Sequence, residues 1–337
     1  MNRFLGIFLA VSALSACNDP QSKSKTAPSA APTSSAIPDD FVVNSFFGQS
    51  KVALAVDGSA AFGEPGSDTG GADVKNKLLD PGGDPKVKLA YNLVLNKTQS
   101  VVATVTEEIS GPDIPEGQGK QPPLKLTMAL TPKKKLDGGK TQVELKIAKF
   151  EMVGAPADMA AKLAPLQASL QKVTASFTVQ PNGETGDLDF AGAEGLQRGG
   201  GEQILSMLAR VQTVLYVPLP AAAIGPGARW KSSTTSPQEG ASVDSTYTFV
   251  AKSDVGYEIK LETLSLTAPK VMQDPRTGKK ISIEIKGGSN YTLTTLLDGP
   301  TFKVNGNSKT DIVMSEGGGP KRSNNEKMTL TIEKPAK

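Results

Sequence analysis

Reactive side chains are scarce in this sequence, and the scarcity excludes whole classes of chemistry. There is no histidine in 337 residues and one cysteine, Cys17. Ser-His-Asp and Cys-His catalysis, His-ligated zinc and disulfides are closed to such a chain. A general base near neutrality would have to be a perturbed carboxylate or lysine. Ser169-Leu170-Gln171-Lys172 has the Ser-x-x-Lys spacing of a lysine-activated serine nucleophile, and Ser22 with Lys25 repeats it. Such a serine has to open a helix, where the dipole and the lysine lower its pKa. Ser169 closes a helical stretch instead, and no Ser-Asp-Asn or Lys-Thr-Gly partner exists. Asn182, Glu184, Asp187 and Asp189 collect oxygen ligands of the kind calcium takes. Their spacing is not that of an EF-hand, and Asn182-Gly183 is the ordinary hairpin turn. Gly199-Gly200-Gly201 precedes a helix as a phosphate cradle does, but no Gly-Lys-Ser/Thr follows. Lys133-Lys134-Lys135 reads as a solvated hairpin tip that protects a sheet edge, with contact to anionic headgroups as the competing reading. No catalytic residue, metal ligand or cofactor site emerges, so a non-enzymatic protein is expected. With 37 basic against 34 acidic residues, the near-zero balance argues against a nucleic-acid partner.

The most specific chemistry lies at the N-terminus. Arg3 is followed by an apolar run from Leu5 to Leu14, too short to span a bilayer, and then by Leu14-Ser15-Ala16-Cys17. This resembles the lipobox of bacterial lipoproteins. The resemblance implies removal of residues 1–16, diacylglycerol on the Cys17 sulfur and acylation of the new amine. Each buried methylene contributes about 0.8 kcal/mol, so two or three acyl chains would hold a soluble body on a membrane. In that family an Asp directly after the Cys signals inner-membrane retention. Asn18 stands there instead, which implies the periplasmic face of the outer membrane. A thiol used as an anchor also accounts for one cysteine without a disulfide.

The rest of the chain must hold whatever else the protein does. Residues 17–40 are rich in Ala, Pro, Ser and Thr and cannot bury enough apolar surface to offset their ordering entropy, so they read as a tether. Residues 41–85 read as loop-rich or partly disordered, with one strand at 50–57. From Lys86 to Lys337 a period of two dominates, which marks antiparallel strands with one wet face. It runs through Val87 to Leu95, Val101 to Val105, Leu124 to Leu130, Val143 to Ile147, Val173 to Val179, Tyr257 to Leu261, Ile281 to Ile285 and Met328 to Ile332. Phase slips at 147–150 and 261–264 predict bulges. Helical spacing appears twice, over 157–172 and 202–216. Pro165 should kink or split the first helix. The expected fold is α+β: a large, curved, mostly antiparallel half-barrel-like sheet with two helices packed on one face.

Leu215 to Pro220, Gly227-x-x-Trp230 and the strand at Tyr247-x-Phe249 together resemble an uncharacterised domain family of bacterial lipoproteins, over roughly residues 200–270. That resemblance implies an architecture and no mechanism. In architecture the chain is also similar to half-barrel lipoprotein carriers. Two functions then compete, and the first is the one expected, because a one-faced sheet this long has more concave surface than two short helices fill. In the first, Ile204, Leu208, Val211, Leu215 and Trp230 line a pocket for a lipid or other hydrophobic ligand. In the second, the same residues fill a core, and the surface docks another envelope protein.

Overall fold

The computed structural model describes residues 75–112, 114–115, 118–155, 157–193, 196, 201–236, 241–273, 280–316 and 319–335. The lipobox residues Leu14, Ser15, Ala16 and Cys17, Ser22 with Lys25, the expected strand at 50–57 and Gly199-Gly200 lie outside them. Twelve strands form one open antiparallel sheet. They are β1 (Lys75–Asp80), β2 (Gln99–Ser110), β3 (Leu124–Lys135), β4 (Thr141–Met152), β5 (Thr174–Val179), β6 (Asp189–Ala191), β7 (Arg229–Ser236), β8 (Ala241–Ser253), β9 (Gly256–Gln273), β10 (Lys280–Thr295), β11 (Lys303–Glu316) and β12 (Arg322–Glu333). Two helices interrupt the series, α1 (Ala157–Leu170) and α2 (Gly201–Leu215).

The strand order is β1-β7-β8-β9-β10-β11-β12-β2-β3-β4-β5-β6. Two meanders, β2–β6 and β7–β12, are therefore sewn together where the last strand pairs with the second. Leu330 lies opposite Val105 and Ile332 opposite Ala103 in that seam. On β3 the alternation is strict: Leu124, Leu126, Met128 and Leu130 are all buried, with half-exposed residues between them. The same face of the other strands supplies Val143, Leu145, Phe177, Trp230, Phe249, Ile259, Leu293 and Val304, and together with both helices these form one hydrophobic core. The half-barrel-like sheet with two helices on one face is thus the architecture found.

Several local expectations need correction. The alternating run 87–95 is not a strand of the sheet. Leu89, Tyr91 and Leu93 do point into the core, but their backbone bonds go to scattered partners. Val87 exchanges bonds with Ile224, Tyr91 N–H reaches Pro181 O, and Asn92 N–H reaches Leu297 O. The segment is an extended strap whose side chains follow the strand period without a ladder, and Leu95 at its end is exposed. A strand does exist before Pro85: β1 pairs with β7, Leu78 opposite Trp230. The slip at 147–150 is a bulge, since Thr127 faces Lys149 and Met128 faces Ile147 with Ala148 unopposed. No bulge occurs at 261–264. Thr263 and Leu264 stay in register with Ser289 and Gly288, and Leu264 simply faces solvent, 54% exposed. Finally, α1 runs through Pro165 without splitting. Leu163, Leu166 and Leu170 are buried on either side of the proline, and that packing outweighs the one backbone bond it cannot make.

Candidate functional site

α2 carries the residues on which the two functional readings divide. Its spacing puts Ile204, Leu208, Val211 and Leu215 on one stripe, and each is at most 1% exposed. Leu205, Met207 and Val214 are buried as well, so the helix is enclosed on more than one side. Pro218 and Pro220 end it, and the chain then runs as a non-helical connector through Ile224 to β7. Arg210 lies within this largely apolar helix. Its Nη1 is 3.5 Å from the Glu326 carboxylate and 3.6 Å from Met328 Sδ. Glu326 is only 4% exposed. Gln212 Nε2 donates to Gly186 O at 3.0 Å. One helix face is thus held to β12 by charge and another to the β5–β6 connection by an amide.

Trp230 is fully buried. Its ring stacks on Tyr247 across the β7–β8 pair, 5.5 Å between centroids and 11° between planes. Its Nε1 donates to Pro218 O at 2.7 Å. That bond fixes the connector after α2 to the sheet and satisfies the indole N–H. Beside it lies a cluster of phenols. Tyr91 OH accepts from Val217 N–H at 2.9 Å and shares a 3.1 Å hydrogen bond with Thr295 Oγ1. Tyr216 packs edge-on against both Tyr91 and Phe177. Burial, only partly offset by those two hydrogen bonds, pushes the Tyr91 hydroxyl up to about 12. Burial raises Tyr216 and Tyr247 as well, and the nearby Tyr91 adds to both.

The other sequence candidates resolve into structural roles. Asn182 Oδ1 accepts from Glu184 N–H, and Gly183 takes φ +82°, where an added Cβ would strike Val217 O and the Tyr91 ring. This is a hairpin turn that packs against the strap. Glu184 accepts from Asn76 Nδ2 at 2.5 Å, bridging the turn to edge strand β1. Asp187 and Asp189 flank it, and among the described residues no group of His, Cys, Asp or Glu is placed to hold a metal ion. Ser169 sits at the end of α1, where its carbonyl accepts from Lys172 N–H. Gly201 opens α2. Sequence reasoning missed the Arg210–Glu326 pair, although a signal existed: Glu326 is in phase with buried Met328, Leu330 and Ile332 on β12.

The site that results is a helix locked into a sheet by apolar packing, one ion pair and a tryptophan clasp. No family model matches the chain, and no curated protein matches it. What the protein does has to be argued from this geometry and from the N-terminal motif.

Proposed function

We propose that the protein is a cell-envelope lipoprotein, anchored through Cys17 on the periplasmic face of the outer membrane, whose β-rich body is a rigid module that docks another envelope protein. The lipobox Leu14-Ser15-Ala16-Cys17 and Asn18 support the anchor and its address. One observation carries the docking reading. Ile204, Leu208, Val211 and Leu215, the stripe a carrier would present to an acyl chain, are 0–1% exposed and belong to the same core as the sheet. A carrier keeps a concave apolar surface free for its ligand. Here Trp230 and the helix stripe are engaged by the protein itself, which leaves the outer surface to do the work.

The test has two parts. Replacing Cys17 by Ser, in a chain whose residues 1–16 are exchanged for a signal peptide that is cleaved without lipidation, should move the protein from the membrane fraction to the soluble fraction while leaving its far-UV circular dichroism unchanged. A variant that still sediments with membranes would refute the anchor. Native mass spectrometry of that soluble variant, purified without detergent, should give the polypeptide mass alone. A co-purified lipid of defined mass would restore the carrier reading and overturn the docking module.

A further inference from the structure

The lysine-rich tip of the β3–β4 hairpin has no role in the core or in the function proposed above. Lys133, Lys134, Lys135 and Lys140 are all exposed. In a regular strand, consecutive residues alternate between faces, so three lysines in a row would turn one inward. A bulge prevents this. Pro132 faces Val143 and Lys134 faces Gln142, leaving Lys133 out of the ladder. The hairpin also outruns its neighbour. β2 begins at Gln99 opposite Leu130, so the residues beyond Leu130 have no β2 partner in the ladder. A 3-10 turn over Asp137–Gly139, with Gly138 at φ +71°, rounds off the tip, and Leu136 N–H bonds to Lys140 O across it at 2.8 Å. Half-buried Leu136 sits among the lysines. Asp137 is the one carboxylate between Lys133 and Lys140. Glu144 is shared between Lys133 and Lys146, 3.4 Å from each.

We infer that this tip is a contact site for an anionic lipid surface. Four ammonium groups, with Asp137 and Glu144 as the carboxylates beside them, on an exposed turn with an apolar residue among them, match the charge and the shallow apolar layer of an anionic headgroup region. The inference deepens the envelope reading and takes from it only that such a bilayer is near. An anchor at Cys17 lets the tip reach it. The chain from Cys17 to β1 can extend to about 190 Å at roughly 3.3 Å per residue, against about 60 Å for β9, the longest strand.

The test uses the full chain carrying Cys17→Ser, so that no attached lipid contributes. Its binding to phosphatidylglycerol-containing vesicles and to phosphatidylcholine vesicles is measured by co-sedimentation. The parent should prefer the phosphatidylglycerol vesicles and lose that preference as salt rises. Lys133→Gln, Lys134→Gln and Lys135→Gln together should weaken binding to those vesicles about a hundredfold, at about fivefold per lysine. Binding to phosphatidylcholine should not move, because the apolar run Leu5–Leu14 is common to both chains. The corresponding triple Lys→Arg variant should bind like the parent. If the Gln variant holds phosphatidylglycerol vesicles as tightly as the parent, or the parent has no preference for them, the inference is overturned. Either result is independent of whether Cys17→Ser releases the protein from cell membranes.

Discussion

Tyr91 does three jobs with one side chain. Its ring joins the core, its oxygen accepts the Val217 N–H just past the end of α2, and its hydroxyl links to Thr295 at the end of β10. The arrangement makes a pH prediction with a definite sign. A phenol whose folded pKa is raised holds its proton more tightly folded than unfolded, so stability is constant below the unfolded value and falls above it. For Tyr91 the window runs from about 10, the unfolded value, to about 12. Tyr216 and Tyr247 shift in the same direction, so the three losses add. Alkaline titration should give a cooperative step in tyrosinate absorbance that coincides with loss of the near-UV circular dichroism. Smooth ionisation of these phenols near pH 10 with the near-UV signal intact would contradict their burial. None of this was legible in the sequence, where Tyr91 is one apolar position in an alternating run. The anchor proposed at Cys17 is the reverse case, since it rests on residue types alone.

At the level of elements, α2 was legible to within a residue at each end. Its apolar spacing is sustained over four turns, and two prolines stop it. The strands with strict alternation, β3 above all, were legible for the same reason. What the sequence hid has specific causes. β11 reads Lys-Val-Asn-Gly-Asn-Ser-Lys-Thr over its first half, because a central strand flanked by β10 and β12 can take its stability from the ladders on both sides. β1 is short, and as an edge strand it needs only the β7 ladder and the Leu78 contact. The strap 87–95 was misread because period two reports which way side chains point, not where the backbone bonds go. The burial of α2 also separates the two functions energetically. Leu208 is fully enclosed, so Leu208→Ala should leave an unfilled cavity and cost roughly 2–5 kcal/mol. Urea denaturation measures it directly. A cost well under 1 kcal/mol would mean that the site collapses freely or is loosely packed, and would favour a pocket over a core.

For the whole molecule, the decisive feature is the seam between β12 and β2. The C-terminal meander β7–β12 and the earlier meander β2–β6 could each have been a separate sheet. Instead Glu333 through Asn325 pair with Val102 through Ser110, and Met328, Leu330 and Ile332 enter the same core as Val101, Ala103 and Val105. The ladder closes a loop of more than half the chain, so it forms late and at a high entropic cost, and the fold depends on it once formed. The other sheet margin is held more lightly. β1 adds a single ladder to β7 and reaches across to Glu184 through Asn76, while the exposed Lys77 places a charge on it. Two truncations should therefore behave differently. A chain ending before Arg322 exposes β11 and β2 together and removes four buried side chains, Glu326 among them, from the centre of the sheet, so it should not fold to a soluble monomer. Of the described residues, a chain beginning at residue 86 loses β1 and the turn that bonds Gly225 and Pro226, and it should keep the far-UV spectrum of the parent with a lower Tm. In the intact chain the seam makes the two meanders one cooperative unit, so calorimetry should record a single endotherm. Two resolved transitions, with a soluble and folded product from the chain that ends before Arg322, would show instead that each meander is stable without the other.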